Sequence, residues 1–403
     1  MTHQEPTLDF HTLLTSPPAQ PIAVAEIGTG HQGDLQRGLE LIDAAAEAGA
    51  DVAKFQVVFA DEILPPEAGE VPLPGGMTPL YQVFRNLERP LDFYLALAEH
   101  TKARGLSFWA SPFGKNSVQL LQQIGVEAWK VASPELNHEE LVEQLSQTGL
   151  PLVLSTGVSQ LGDIERALAI HAAASPSSPV GLLHCVTSYP APEDNANLLC
   201  IPSLRNIFGV PVGLSDHSLN PILLPALASA LGTFMVEKHF TLPGSQEGLD
   251  DPVALKPQEF AQMCAAMKHF APKPSASERN LHGFSNSSSS LNLQQAVQEL
   301  SQEFGAQRLR SCLGDGIKRL ASAEEANYGR TNRSLHARRA LNVGDVLTPE
   351  NSAFLRTEKI LRPGLPPRER HQAYGRTIIH PIPAGEGIRW EDLGAPPSTL
   401  SSS

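Results

Sequence analysis

The stretch VPVGLSDHS, residues 210–218, begins as an apolar run and turns polar at its end. In a strand successive side chains point to opposite faces, so Ser215 and His217 share one face and Asp216 points away from both. A Ser–His–Asp triad draws its members from separate elements, so these three residues do not form one by themselves. The segment reads instead as a buried strand that delivers polar groups at its C-terminal end. Seven other runs have the same texture: PIAVAEIG (21–28), DVAKFQVV (51–58), LSFWASPF (106–113), EAWKVAS (127–133), LPLVLSTG (150–157), VGLLHCVTS (180–188) and FMVEKHF (234–240). Between them lie stretches of helical period, among them 34–50, 91–105 and 115–126. Eight strands alternating with helices over about 250 residues predict an α/β fold, a (β/α)8 TIM barrel. A doubly wound open sheet is the competitor, but it ordinarily carries five or six strands.

The chain has 403 residues, 41% of them apolar, and a net charge of −13. That length allows two domains, and the acidic balance argues against a nucleic-acid surface while leaving room for a local anion pocket. The first residues lack a basic start and a long apolar run, and no stretch reaches the length of a membrane span. Cys185, Cys200, Cys264 and Cys312 are scattered with no CxxC pair, which predicts reduced thiols in a cytoplasmic protein. After residue 270 the texture changes. Residues 271–290 are rich in Pro and Ser, and 291–309 has the pattern of one helix. A small β-rich domain is expected at 331–395, where ALNVGDVLTPEN (340–351) is echoed by PIPAGEGIRWED (381–392). The reading is therefore an N-terminal extension (1–20), a barrel (21–270), a linker (271–330), a small domain (331–395) and a disordered tail (396–403).

In a (β/α)8 barrel the active site lies at the C-terminal strand ends. Glu26, Lys54, Gln56, Ser111, Lys130, Ser133, Ser155, Ser215, His217, Lys238 and His239 all cluster there, and charge inside apolar strands is costly unless it is paired or meets a ligand. His217 and His239 end neighbouring strands about 4.8 Å apart. They can share a cation with positions left open, and imidazole with oxygen donors admits Mn2+, Zn2+ or Fe2+. A hydrogen-bonded pair of core histidines is the alternative. Lys54 and Lys130, with the serine hydroxyls, suit a ligand carrying both phosphate and carboxylate, or one lysine could form a Schiff base. Lys130 and Ser133 face the same site only if their strand ends near Ala132. Glu26 is placed to move a proton or to pair with Lys54. Asp250 is placed to bind a polar substrate group or simply to lie exposed.

These residues in this order resemble the sialic acid synthase family, through AEIG, GHQGD, KFQ, SPF, LSTG, HCVTSYPAP, GLSDHS and VEKHF. Residues 333–395, with NRSL beginning at 332, RPG and IPAGEGIRWEDL, resemble that family's C-terminal antifreeze-like (SAF) domain. The resemblance implies condensation of phosphoenolpyruvate with an N-acetylated hexosamine to a nine-carbon 2-keto acid and phosphate, by cleavage of the phosphoenolpyruvate C–O bond. It implies that Lys54 and Ser111 hold the carboxylate, and that Lys130, Ser133, Ser155 and Ser215 hold the phosphate. By the same resemblance His217 and His239 hold a divalent metal, Mn2+ with Mg2+ or Co2+ as alternatives, and Glu26 is catalytic. Tyr189 and Asp250 match sugar contacts. Arg362 of RPG matches an arginine delivered to the partner's barrel in a domain-swapped homodimer. Gly30, Gln32, Gly76 and Thr187 depart from the family pattern on the sugar side. A 2,4-diacetamido-trideoxyhexose is therefore an alternative acceptor to N-acetylmannosamine.

Overall fold

The computed structural model describes residues 8–73, 76–244, 248–272, 286–358 and 360–396. The eight apolar runs form eight parallel strands: β1 (Ile22–Gly28), β2 (Val52–Val57), β3 (Ser107–Pro112), β4 (Trp129–Val131), β5 (Leu152–Ser155), β6 (Val180–Cys185), β7 (Val212–Asp216) and β8 (Met235–His239). Their order is β3-β2-β1-β8-β7-β6-β5-β4. The first and last strands in sequence thus pair, with Ile22 opposite Met235 and Glu26 opposite His239. The barrel is nearly closed, and the one seam without a hydrogen-bonded ladder lies between β3 and β4.

Helices follow the strands with their apolar stripes inward. Leu35–Glu47 starts at Asp34, whose carboxylate accepts the Arg37 N–H at 3.1 Å as an N-cap, and it buries Leu41, Ile42 and Ala45. Leu91–Ala103 and Lys115–Ile124 occupy the other two stretches expected to be helical. Between β2 and Leu91 the chain makes an excursion with its own hairpin, Glu70–Leu73 against Gly76–Pro79.

Inward side chains form two layers. The lower layer is apolar, built from Val24, Val52, Trp109, Val153, Leu183 and Met235. The helix Phe10–Thr15 closes it from below with Phe10, Leu13 and Leu14, so part of the N-terminal extension is a barrel plug. The upper layer holds the polar residues.

The expected single helix at 291–309 is two, Asn286–Phe304 and Ala306–Leu313, because Gly305 at φ +80° breaks the run. The other residues of the Pro/Ser-rich stretch from 273 to 285, and the tail from 397, lie outside the described residues. The small domain is built on an antiparallel pair, β9 (Arg333–Ala337) and β10 (Ser352–Arg356). Its two echoed segments pair directly, with Leu341 and Ile382 exchanging both N–H···O bonds at 2.9 Å. Leu341, Leu347, Ile382 and Ile388 fill one core, so the echo has a packing role. Gly364 of RPG has no room for a side chain, since a Cβ there would lie 1.9 Å from the Leu335 carbonyl oxygen.

The small domain docks on the barrel of its own chain through a buried carboxylate. Glu135, fully buried, pairs with Arg333, and with the Arg356 guanidinium at 2.6 Å. Asn137 exchanges two hydrogen bonds with the Arg333 backbone, at 2.9 and 3.0 Å. Burial raises the Glu135 pKa, but Arg333 and Arg356 outweigh it and hold the carboxyl well below the usual range.

Candidate active site

The barrel mouth gathers four buried charges. Lys54 Nζ lies 2.5 Å from Glu26 Oε2 and 3.3 Å from Glu237 Oε2, and Lys130 Nζ lies 3.8 Å from Glu237 Oε1. Each of these side chains is less than a tenth exposed. Gln56 Nε2 donates to the other Glu26 oxygen at 2.9 Å, and Ser215 Oγ donates to Glu237 at 3.0 Å. Lys130 Nζ donates to Ser155 Oγ at 2.6 Å. Ser111 Oγ is buried with no hydrogen-bond partner, a polar atom left open toward the site. Strand β4 ends at Val131 and Ser133 begins a short 3-10 turn, Ser133–Glu135. That ending frees Ser133 from strict alternation, and its Oγ accepts the Gly157 N–H at 3.0 Å.

Burial and charge split the two lysines. For Lys54 burial pulls the pKa down, but Glu237 and Glu26 together raise it above the ordinary value. Lys130 is lowered to about 8, mainly by burial, with Glu237 offsetting part of that loss. Burial would raise the pKa of Glu237, yet Lys130 and Lys54 bring it down to about 2. The mouth is therefore a buried set of two cations and two anions, with serine hydroxyls around it.

His217 directly follows β7 and His239 ends β8, with ring centroids 5.4 Å apart. His217 Nδ1–H donates to the Val186 carbonyl at 2.8 Å, so in the neutral ring Nε2 carries the lone pair. Burial lowers the His217 pKa, but Cys185 and this bond outweigh it and push it up to about 9, so a cation bound at Nε2 displaces a proton. His239 Nδ1 is buried and makes no hydrogen bond, and Asp250 Oδ2 lies 3.7 Å from it. Tyr189 stacks on His217 at 4.3 Å. The two imidazoles thus fit the ligand pair of a divalent cation. No group of three His, Cys, Asp or Glu side chains among the described residues could enclose one, so water or substrate oxygens would complete the shell.

One sequence-level placement changes. Lys238 is not at the mouth: it points outward, 2.5 Å from Asp216, in a buried pair behind the β7–β8 ladder. Asp216 is structural, as alternation implies. Arg362 is engaged inside the small domain, with its guanidinium 2.5 Å from Asp392 and bonded to the Gly387 carbonyl at 2.9 Å. Another small-domain arginine, Arg356, lies over the ring of Phe113 in the SPF segment, 5.4 Å from its centroid.

Glu237 was missed by sequence reasoning. It precedes His239 by two residues on β8, so the alternation that put His239 in the barrel puts Glu237 there as well. Cys185 was missed in the same way: it ends β6, with Sγ 3.8 Å from His217 Nδ1. Of the departures, Gln32 adopts φ +51°, a conformation that asparagine takes more readily than glutamine. Thr187 is buried at the mouth, its Oγ1 3.9 Å from Cys185 Sγ.

The chain matches the NeuB family over residues 41–274 and the SAF domain over 332–394. The spore coat polysaccharide biosynthesis protein SpsE of Bacillus subtilis (strain 168) is 29% identical over 378 residues, 92% of each chain. The crystal structure of SpsE covers 93% of this chain and 96% of its own at a TM-score of 0.73. An N,N'-diacetyllegionaminic acid synthase of Campylobacter jejuni is 29% identical over 335 residues, 82% of this chain and 88% of the relative. The N-acetylneuraminic acid synthetase of Leptospira borgpetersenii, solved with citrate, is 31% identical, with a TM-score of 0.59 over 66% of this chain and 95% of that one. The chain belongs to the NeuB family, and its C-terminal module is an SAF domain.

Proposed function

We propose that this protein condenses phosphoenolpyruvate with the open-chain form of an acetamido sugar, giving a nine-carbon 2-keto acid and inorganic phosphate. The observation that carries this reading is the buried Lys54/Lys130 pair among serine hydroxyls, at the same barrel mouth as the His217 and His239 imidazoles. Lys54 and the open Ser111 hydroxyl bind the carboxylate. Lys130, Ser133, Ser155 and Ser215 bind the phosphate. Glu237, between the lysines, keeps both ammonium groups in place in the buried mouth.

His217 and His239 would hold a divalent cation, Mn2+ or alternatively Mg2+ or Co2+, which when bound supplies Lewis acidity toward the sugar aldehyde. C3 of phosphoenolpyruvate attacks the aldehyde carbon, water adds at C2, and the C2–O bond breaks to release phosphate. Glu26, bonded to Lys54 and Gln56 and opposite His239, manages the proton of that water. Tyr189 and Asp250 face the acceptor, and Arg362 of the small domain reads its acyl group. Exchange of small domains between two copies would preserve the Glu135–Arg333–Arg356 contacts across chains, and we assign the working form as that homodimer.

The acceptor is either N-acetylmannosamine or a 2,4-diacetamido-trideoxyhexose. The departures at Gly30, Gln32 and Gly76, and the similarity to a diacetyllegionaminic acid synthase, favour the second. The test is phosphate release from phosphoenolpyruvate with Mn2+ across a panel of acetamido sugars, with mass spectrometry of products. Release dependent on one sugar, with a nine-carbon keto acid formed, supports the reading. A borohydride-trapped pyruvate adduct on Lys130, whose lowered pKa suits an amine nucleophile, would replace it with Schiff-base chemistry.

A further inference from the structure

The segment joining barrel and small domain holds a barrel loop in a shape that the loop would not take unaided. Val158, just after β5, has φ +42°. A β-branched residue adopts that left-handed conformation only when its surroundings impose it. Two side chains from the joining segment impose it here. Glu324 Oε1 accepts the Val158 N–H at 2.7 Å, and Asn332 Nδ2 donates to the Val158 carbonyl at 3.0 Å. Lys318 Nζ adds a bond to the Thr156 carbonyl at 2.8 Å.

Glu324 does more than hold one loop. The same Oε1 accepts the Thr187 N–H at 2.7 Å from the loop after β6, and Oε2 accepts the Ala321 N–H at 3.1 Å. The residue is 1% exposed, so its bonds form away from water, where an ionised acceptor is strong. Between the two anchored loops lies Gly157, whose N–H donates to Ser133 Oγ. A Cβ on Gly157 would come within 2.0 Å of Thr187 Oγ1 and 2.9 Å of Ser133 Oγ. Thr187, Gly157 and Ser133 therefore pack without slack, beside Ser155 and its bond to Lys130. Moving Val158 or Thr187 moves Ser133.

We propose that Glu324 is a positioning residue that sets the phosphate end of the site by latching the β5 and β6 loops together. It acts through Gly157, Ser133 and Thr187. The inference rests on the phosphoenolpyruvate reading above, and its test separates the two. Full-length protein is titrated with phosphoenolpyruvate alone in a calorimeter. Absence of binding by the wild type overturns the phosphoenolpyruvate reading itself. Where the wild type binds, Glu324→Ala raises Kd about tenfold or more, while Glu324→Gln, which keeps an oxygen for both N–H groups, shifts it by less than about threefold. Asn332→Ala, which frees the other side of Val158, gives a rise between the two. Glu325→Ala, at the exposed neighbour, leaves Kd unchanged. A merely structural role lowers the number of binding-competent molecules and the melting temperature but not Kd. Wild-type Kd in Glu324→Ala overturns the proposal, and if that variant does not fold, wild-type Kd in Asn332→Ala does so.

Discussion

Lys130 places an upper pH limit on the site. Its pKa, lowered to about 8 by burial, means that the free enzyme loses this ammonium as pH rises through 8, while an unfolded chain would keep it to about 10.5. Anion binding needs the charged form. The kcat/KM for phosphoenolpyruvate should therefore be flat below about pH 7 on account of this group and fall about tenfold per unit well above 8. A profile flat to pH 10 would remove Lys130 from the anion site. The linkage to stability has the opposite sign: between about 8 and 10.5 the unfolded chain binds the extra proton, so Lys130 favours folding increasingly as pH rises. His217→Ala should fold normally, lose metal binding measured by calorimetry, and lose about a hundredfold or more in kcat. The two arginines separate by kinetics. Arg362→Ala should raise the acceptor KM about tenfold with little change for phosphoenolpyruvate, whereas Arg356→Ala, which takes a guanidinium away from buried Glu135, should chiefly weaken the docking of the small domain.

At the scale of elements, the helix Phe10–Thr15 shows how an extension becomes part of a core. Its three apolar residues enter the barrel floor, and Phe10 meets Trp109 with ring centroids 5.2 Å apart. Phe10→Ala should cost about 3 kcal/mol in urea unfolding, the usual loss for a buried phenylalanine. It should leave both substrate KM values unchanged, because the plug and the polar layer sit at opposite ends of the barrel. Altered KM values would show that the floor tunes the mouth.

At the scale of the whole molecule, Glu135 joins two folding units from a turn that begins with Ser133. Its folded pKa lies well below the unfolded value, so its contribution is fully present above about pH 4.5 and is lost only as pH falls through the folded pKa. Docking of the small domain should therefore not loosen between pH 5 and 8. Glu135→Gln, which leaves two buried guanidinium groups short of a counter-charge, should destabilise by about 3 kcal/mol or more and separate the unfolding of the two domains in calorimetric scans. A single unshifted transition would show that the apolar contacts alone carry the docking.

The local pattern of the chain determined the eight strands, their order along the barrel, the two-layer inward face and the mouth positions of Glu26, Lys54, Ser111, Lys130, Ser155, Ser215, His217 and His239. The reason is that strand period and burial are local properties, written into runs of seven to nine residues. The echo in the small domain was legible for the same reason. Only the tertiary structure decided which charges meet. Glu237 between the lysines, Lys238 turned outward to Asp216, Arg356 paired with Glu135, and Glu324 reaching back across 137 and 166 positions to Thr187 and Val158 depend on contacts between distant segments. The cost of leaving a buried charge or N–H unpaired selects those contacts, and that cost is set by the packed molecule rather than by any stretch of its sequence.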